Sequence, residues 1–139
     1  MNISKGDRQS IDAILAQARA RLDRVDAAHL DEELTSGALV VDIRPTEQRS
    51  RDGALPGAVV IDRNVLEWRL DPACEHRIAE VADYDVRIVI VCNEGYQSSL
   101  AAALLHDVGL HRATDLVGGY QAWLEFIAGE RRAQPDVRP

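Results

Sequence analysis

The stretch RIVIVCNEGYQSSLAAALL, residues 87–105, reads as a buried strand, a tight connection and a helix. Residues 87–91 are a short β-branched apolar run, the pattern of a central strand covered on both faces. From residue 98 the chain is rich in Ala and Leu, with Leu100, Leu104 and Leu105 at helical spacing. Between the two lie Cys92, Asn93, Glu94, Gly95, Tyr96 and Gln97. The cysteine therefore stands where a buried strand stops and a helix is about to start. Successive backbone N–H groups in such a turn converge on one point, and the helix dipole adds positive potential there. Ser98 or Ser99 is expected to cap the helix, and Gly95 supplies the positive-φ freedom of a sharp cradle. Such a setting favours thiolate over thiol, and the same amides would hold a bound sulfur anion. These are the physical requirements of a cysteine that carries a group. A buried structural cysteine is the commoner role for the residue type, and the strand–Cys–turn–helix context is what argues against it here.

On either side of this stretch the chain alternates short apolar runs with helical patterns. Residues 10–24 place Ile11, Ile14, Leu15, Ala18 and Leu22 on one helical face, with Ser10 as N-cap. This helix is expected to pack over the sheet or its edge, with a dimer contact through the same stripe as the sharper alternative. Residues 24–25 read as a very short strand, and Asp26 as the N-cap of a helix over 27–36 closed by Gly37. Residues 39–43 are the next buried strand. Arg44 leaves its carboxyl end, where open α/β sheets place ligands, but a bracing pair with Asp42 or Glu47 is the preferred role. Residues 45–52 are polar and aperiodic and read as a surface loop. A turn at 53–57 leads into a strand at 58–62. The following Arg63-Asn64-Val65-Leu66-Glu67-Trp68-Arg69 suits a helical turn that points Val65, Leu66 and Trp68 inward. Residues 75–82 read as a further helix. Gly109 should stop the central helix near Val108. A strand at 113–117 and an amphipathic helix at 120–128, with Trp123, Leu124 and Ile127 inward, complete the chain. The order β-α-β-β-α-β-α-β-α implies an α/β fold: a doubly wound, mainly parallel sheet flanked by helices.

Composition narrows the classes. With 139 residues, 46% hydrophobic and 28% charged, the chain is long enough for one domain with a real core. A net charge of −7 argues against nucleic acid, whose phosphates need a basic surface. No apolar run is long enough to span a membrane, and the first residues lack a secretory apolar segment. The two cysteines, Cys74 and Cys92, match no metal-ligand spacing, and no metal or organic cofactor site is legible. A free thiol fits a reducing cytoplasm, with a Cys74–Cys92 disulfide as the alternative.

Four segments in one order resemble the rhodanese family of sulfurtransferases over roughly residues 24–127. The loop Cys92-Asn93-Glu94-Gly95-Tyr96-Gln97-Ser98-Ser99 is similar to its active-site C-x-x-G-x-x-S-S. Val41-Asp42-Ile43-Arg44 with Glu47 resembles V-D-x-R…E, and Gly53-Ala54-Leu55-Pro56-Gly57-Ala58 resembles G-H-I-P-G-A, with Ala54 in place of the usual His. Leu116-Val117-Gly118-Gly119-Tyr120-Gln121-Ala122-Trp123 is similar to L-x-G-G-x-x-A-W. The resemblance implies a single-domain sulfurtransferase over 24–129, preceded by a helical extension over 1–23 and followed by a flexible tail over 130–139. It implies that Cys92 takes a sulfane sulfur from a donor as a persulfide and yields it to a thiol or to cyanide. Thiosulfate, a small persulfide or a protein persulfide partner are the candidate donors. Asn93, Glu94, Gly95, Tyr96, Gln97 and Ser98 would form the amide cradle, and no cofactor is implied. Many relatives carry Arg or Lys in this loop, whereas this chain has Glu94 and Gln97. Arg63, nearest a strand end, is the candidate to supply the missing cation, ahead of Arg69. The chain is expected to act as a monomer or homodimer. Two rivals stand beside this reading. Related phosphatases use a cysteine loop ending in Arg, but position 98 is Ser, which lacks the oxyanion clamp. A non-enzymatic binding module is the other, although such modules typically lose the cysteine.

Overall fold

The side chains of Ile88, Val89, Ile90 and Val91 are shut off from solvent, and they form the central strand of a computed structural model that describes residues 7–133. Four strands make one sheet: β1 (Leu39–Asp42), β2 (Val59–Val60), β3 (Ile88–Val91) and β4 (Ala113–Asp115). They lie in the order β2-β1-β3-β4, and every pairing is parallel. The β1–β3 register sets Leu39 beside Ile88 and Asp42 beside Val91, so both strands end at one level. Val25 adds a single parallel bridge to Leu116 beyond β4, matching the expected short strand.

Side chains alternate across this sheet, and each face is covered. Val41, Ile88, Ile90 and Cys92 share one core with Leu66, Leu70, Ala101, Ala102 and Leu105. Val40, Val89 and Val91 share the other with Leu30, Leu55, Leu116 and Tyr120. The helices that close the two layers are α1 (Ile11–Ala20), α2 (Leu30–Thr35), α3 (Thr46–Asp52), α4 (Leu66–Leu70), α5 (Gln97–Val108) and α6 (Gly119–Ala133). The sheet is therefore parallel and wound on both faces, as the element order implies. Ser10 caps α1 by accepting from the Ala13 amide at 3.0 Å. Leu15 and Ala18 of α1 are buried and α1 packs on α5, whereas Ile11 and Ile14 remain exposed.

Several local expectations are corrected. Residues 46–52 form α3 rather than a loop: the helix has no apolar stripe and so no periodic signal. It is held by Glu47 in its first turn and Arg49 and Arg51 in its last, which suit the helix dipole. Pro45 before it and Gly53 after it were the available punctuation. Residues 75–82 are turns rather than a helix. The Ile78 amide donates to the Arg69 carbonyl at 2.8 Å, and Arg77 Nη1 donates to the Val81 carbonyl at 2.9 Å. Ile78 and Val81 thereby enter the core without an i→i−4 ladder. Leu66 and Leu70 point inward, but Val65 and Trp68 are exposed by 45% and 58%, so the expected inward Trp is overturned. Asp26 caps no amide; its carboxylate meets His29 Nδ1 at 2.5 Å, and a 3-10 turn (Ala27–His29) leads into α2. Helix α6 runs on to Ala133, and residues 134–139 of the tail lie outside the described residues.

Candidate active site

Cys92 follows β3 directly and is 8% exposed. Its Sγ accepts from the Gly95 amide at 3.1 Å and from the Ser98 amide at 3.4 Å. Ser98 is the second residue of α5, so the helix aims an unpaired N-terminal amide, with its dipole, at the sulfur. Neither Ser98 nor Ser99 caps α5, contrary to expectation; the cap position is Tyr96, without a side-chain bond.

The orientation of the remaining loop amides follows from where the loop carbonyls go. The Cys92 carbonyl accepts from the Tyr120 amide at 2.8 Å, and the Asn93 carbonyl from the Gln121 amide at 3.1 Å. Both donors open α6. The Gly95 carbonyl accepts from Arg19 Nη2 at 2.8 Å and Arg24 Nη2 at 3.2 Å, and the Tyr96 carbonyl from the Ser99 amide at 3.1 Å. Peptide C=O and N–H groups point opposite ways in a trans unit, and the described chain has no cis bond. Three carbonyls engaged from outside the loop therefore turn the amides of Asn93, Glu94 and Tyr96 the opposite way, and the Tyr96 carbonyl, spent on the first turn of α5, leaves the Gln97 amide at the helix N-terminus. This geometry needs close backbone approach. A Cβ on Gly95 (φ 87°) would sit 2.7 Å from the Gly118 amide nitrogen, and one on Gly119 would strike the Cys92 carbonyl oxygen.

Beneath the loop lies a charged network that sequence reasoning missed. Asp115, at the end of β4, is fully buried. It accepts from the Ser98 and Ser99 hydroxyls, each at 2.7 Å, and from Arg24 Nε at 2.8 Å and Nη2 at 3.1 Å. The signal available was a carboxylate closing an apolar strand run, since buried charge demands a partner. Nothing local in the sequence points to Arg19 or Arg24.

A cavity of about 380 Å³ opens over Cys92. Asn93, Glu94, Tyr96, Gln97 and Arg63 line it with the cysteine, joined by Ile43, Arg44, Pro45 and Gln48. The proposed site residues are thus brought together: six line the cavity, and Gly95 and Ser98 touch the sulfur. Glu94, Tyr96 and Gln97 are exposed at the rim. Arg63 is held by Glu67 through Nη1 at 2.6 and 2.9 Å, while its Nε is buried without a partner among the described residues. Arg69 instead donates to the His76 carbonyl at 2.6 Å. Arg44 forms a buried fork with Asp42, Nε to Oδ1 at 3.1 Å and Nη2 to Oδ2 at 2.8 Å. Its guanidinium lies 3.6 Å from the Tyr120 ring centroid. Arg44 thus braces the wall of the cavity it helps to line. Asn93 Oδ1 accepts from Gln121 Nε2 at 3.0 Å, tying the floor to α6. Cys74 and Cys92 are both free thiols, so the disulfide alternative is not realised. A larger depression of about 760 Å³ runs along the Val25 edge, from Arg87 to Arg24.

A family model described as the rhodanese-like domain matches residues 26–126. The chain belongs to the rhodanese family. Among its relatives is the thiosulfate sulfurtransferase GlpE of Ectopseudomonas mendocina, 29% identical over 107 residues, covering 77% of this chain and 89% of that protein. Human single-domain sulfurtransferase TSTD1 superposes with a TM-score of 0.61 at 30% identity, over 73% of this chain and 95% of that one. A Rhodopseudomonas palustris structure, described as of unknown function and a possible tyrosine phosphatase, superposes with a TM-score of 0.76 at 29% identity. It covers 92% of this chain and 97% of that one. The chain spans 17% of the length of a maize adenylyltransferase and sulfurtransferase, MOCS3-2, which it matches over 85 residues at 33% identity. Helix α1 lies before the matched rhodanese segment. Among the described residues no helix is long and apolar enough to cross a membrane, and no cluster of His, Cys, Asp or Glu is arranged to hold a metal ion.

Proposed function

We propose that this chain is a sulfurtransferase that carries a sulfane sulfur as a persulfide on Cys92. The observation that carries the reading is the Sγ held by the Gly95 and Ser98 amides, at 3.1 and 3.4 Å, on the floor of an open cavity. Sulfurtransferase relatives over most of the chain support it. The Cys92 thiolate attacks the outer sulfur of the donor. A new S–S bond forms as the old one breaks, and the donor remnant (sulfite from thiosulfate, a thiolate from a persulfide) leaves with the electron pair. The terminal sulfur of the loaded enzyme is anionic, and amides already turned inward stabilise it without reorganising. A thiol or cyanide then attacks that sulfur and restores the thiolate. No general base is needed, and a reducing compartment such as the cytoplasm keeps both thiols free.

The cavity's charge argues for a donor less highly charged than thiosulfate. Glu94 stands at the rim, and Glu67 neutralises most of Arg63. Thiosulfate activity is accordingly expected to be modest, and a small or protein-bound persulfide the better donor. Turnover of thiosulfate as fast as by a relative with a basic loop would refute this preference. Phosphatase chemistry finds no clamp here. Ser98 is buried where that chemistry needs Arg, and its hydroxyl is spent on Asp115.

Intact mass spectrometry of the reduced chain after incubation with thiosulfate, and separately with glutathione persulfide, tests the reading. The expected result is a gain of one sulfur atom, removed by cyanide and absent from Cys92→Ser. No gain from either donor would leave the chain a binding module instead.

A further inference from the structure

We propose that α1 completes the active-site loop from outside the family segment, with Arg19 as a positioning residue that holds the Tyr96 amide in the cradle and lends the loop a positive charge. The inference rests on the sulfur-transfer reading of Cys92. Arg19 makes three contacts with the loop and its helix. Nη2 donates to the Gly95 carbonyl at 2.8 Å, Nε donates to Ser99 Oγ at 3.1 Å, and the guanidinium carbon lies 5.5 Å from the Tyr96 ring centroid. The Gly95 carbonyl and the Tyr96 N–H belong to one trans peptide, so holding the first outward directs the second inward. The cation–π contact fixes the same residue by its side chain.

Arg24 does not duplicate this role. It reaches the same carbonyl at 3.2 Å, but its guanidinium is committed to Asp115 through two bonds, and the pair is close to neutral. Among the described residues no carboxylate pairs with Arg19, so its charge stays uncompensated against the loop. Glu94 and Gln97 give the loop no cation of its own; α1 brings one to its outer side. The helix is seated for this by Leu15 and Ala18 and by a second tie, Arg21 Nη2 to Asp107 Oδ1 at 2.7 Å, which touches α5 but not the loop. Without Arg19 the Gly95 carbonyl keeps only its longer bonds to Arg24 and Ser99 Oγ, at 3.2 and 3.3 Å. Rotation of that peptide would turn a carbonyl, rather than an amide, toward an anionic sulfur.

The test compares Arg19→Gln, Arg19→Lys and Arg21→Gln with the parent in two assays. One is alkylation of Cys92 by iodoacetamide at neutral pH, read by peptide mass spectrometry with Cys74 as the internal reference. The other is steady-state sulfur transfer to cyanide from thiosulfate and from glutathione persulfide. For Arg19→Gln the Cys92/Cys74 alkylation ratio and kcat with both donors are expected to fall about tenfold, with KM changing less than about twofold. Arg19→Lys should recover to within about threefold of the parent, since it keeps the charge and can reach one acceptor. Arg21→Gln should leave both readouts unchanged. An Arg19→Gln enzyme that matches the parent in both assays would overturn the proposal. Equal losses in Arg19→Gln and Arg21→Gln would overturn it too, because they would show a general loosening of α1. A parent chain that takes up no sulfur, yet alkylates Cys92 in an Arg19-dependent way, would sink the persulfide reading and leave the positioning role standing.

Discussion

Two depressions in the described surface differ in the opposite sense to their sizes. The larger, about 760 Å³, is walled largely by charges that already have partners. Arg87 bridges Asp23 and Glu33, Arg24 is committed to Asp115, His29 meets Asp26, and Arg112 donates to the Asp85 carbonyl. The smaller, about 380 Å³, holds a thiol, a loop of inward amides and an arginine Nε with no acceptor among the described residues. Volume alone would select the larger one. Unspent bonding capacity selects the cavity over Cys92, because groups that satisfy each other have little left for a ligand.

That contrast is open to direct attack. The largest effect is expected from Gly95→Ala, which forces a Cβ to 2.7 Å from the Gly118 nitrogen in a left-handed conformation. Initial rates of persulfide formation should drop about a hundredfold, and a near-parental rate would show that the cradle tolerates a shifted backbone. Next comes Arg44→Ala, which strands the buried Asp42 carboxylate. The cost should be about 3–5 kcal/mol, read as a lower urea midpoint at constant slope. Glu67→Gln should act on donor choice, raising thiosulfate kcat/KM about three- to tenfold by releasing Arg63 toward the cavity. An unchanged value would mean that Arg63 does not meet the donor.

The larger depression should answer with stability alone. Arg87→Gln is expected to cost about 1 kcal/mol at most, since its partners are partly screened by solvent, and to leave sulfur transfer unchanged. Lost activity at parental stability would give that depression a role in the reaction. The smallest effect belongs to His29. Asp26 holds its imidazolium above the ordinary value, first by hydrogen bond and then by charge. A raised histidine stabilises the fold below its unfolded value and loses that contribution as pH rises through the folded one. The Tm advantage of the parent over His29→Gln should therefore be small, greatest near pH ~5 and gone by about pH 9. A constant difference across that range would uncouple His29 from Asp26.

What was legible beforehand follows the range of the forces involved. β3, the cysteine turn and α5 were readable because continuous apolar burial and a helix start are local patterns. Arg44 was readable as a brace because Asp42 lies two residues away. Helix α3 escaped because its sequence, TEQRSRD, has no apolar face to count. Residues 75–82 misled in the opposite way, since Ile78 and Val81 at near-helical spacing are anchored by turns. Val65 and Trp68 were expected inside with Leu66 on a helical turn, whereas Leu66 and Leu70 are the residues of that stretch that α4 buries. The grouping of Cys92 with Arg63 rested on both following strand ends, a topological inference. The Arg19, Arg24 and Asp115 network had no such handle, because its members meet only through the folded sheet.

That last feature bears on when the cysteine becomes chemically competent. The loop supplies its own amides, but the contacts that aim them come from Arg19 and Arg24, 76 and 71 residues upstream of Gly95, and from α6 downstream. Contacts of such long range form only when the chain closes on itself as a whole. During synthesis, or after a break beyond residue 110, Cys92 would be present without the α6 contacts that hold its loop. The aimed geometry around Cys92 is thereby tied to completion of the fold, and on the proposed sulfur-transfer reading an unfinished or damaged chain would be poorly equipped to pick up sulfur it could not hand on.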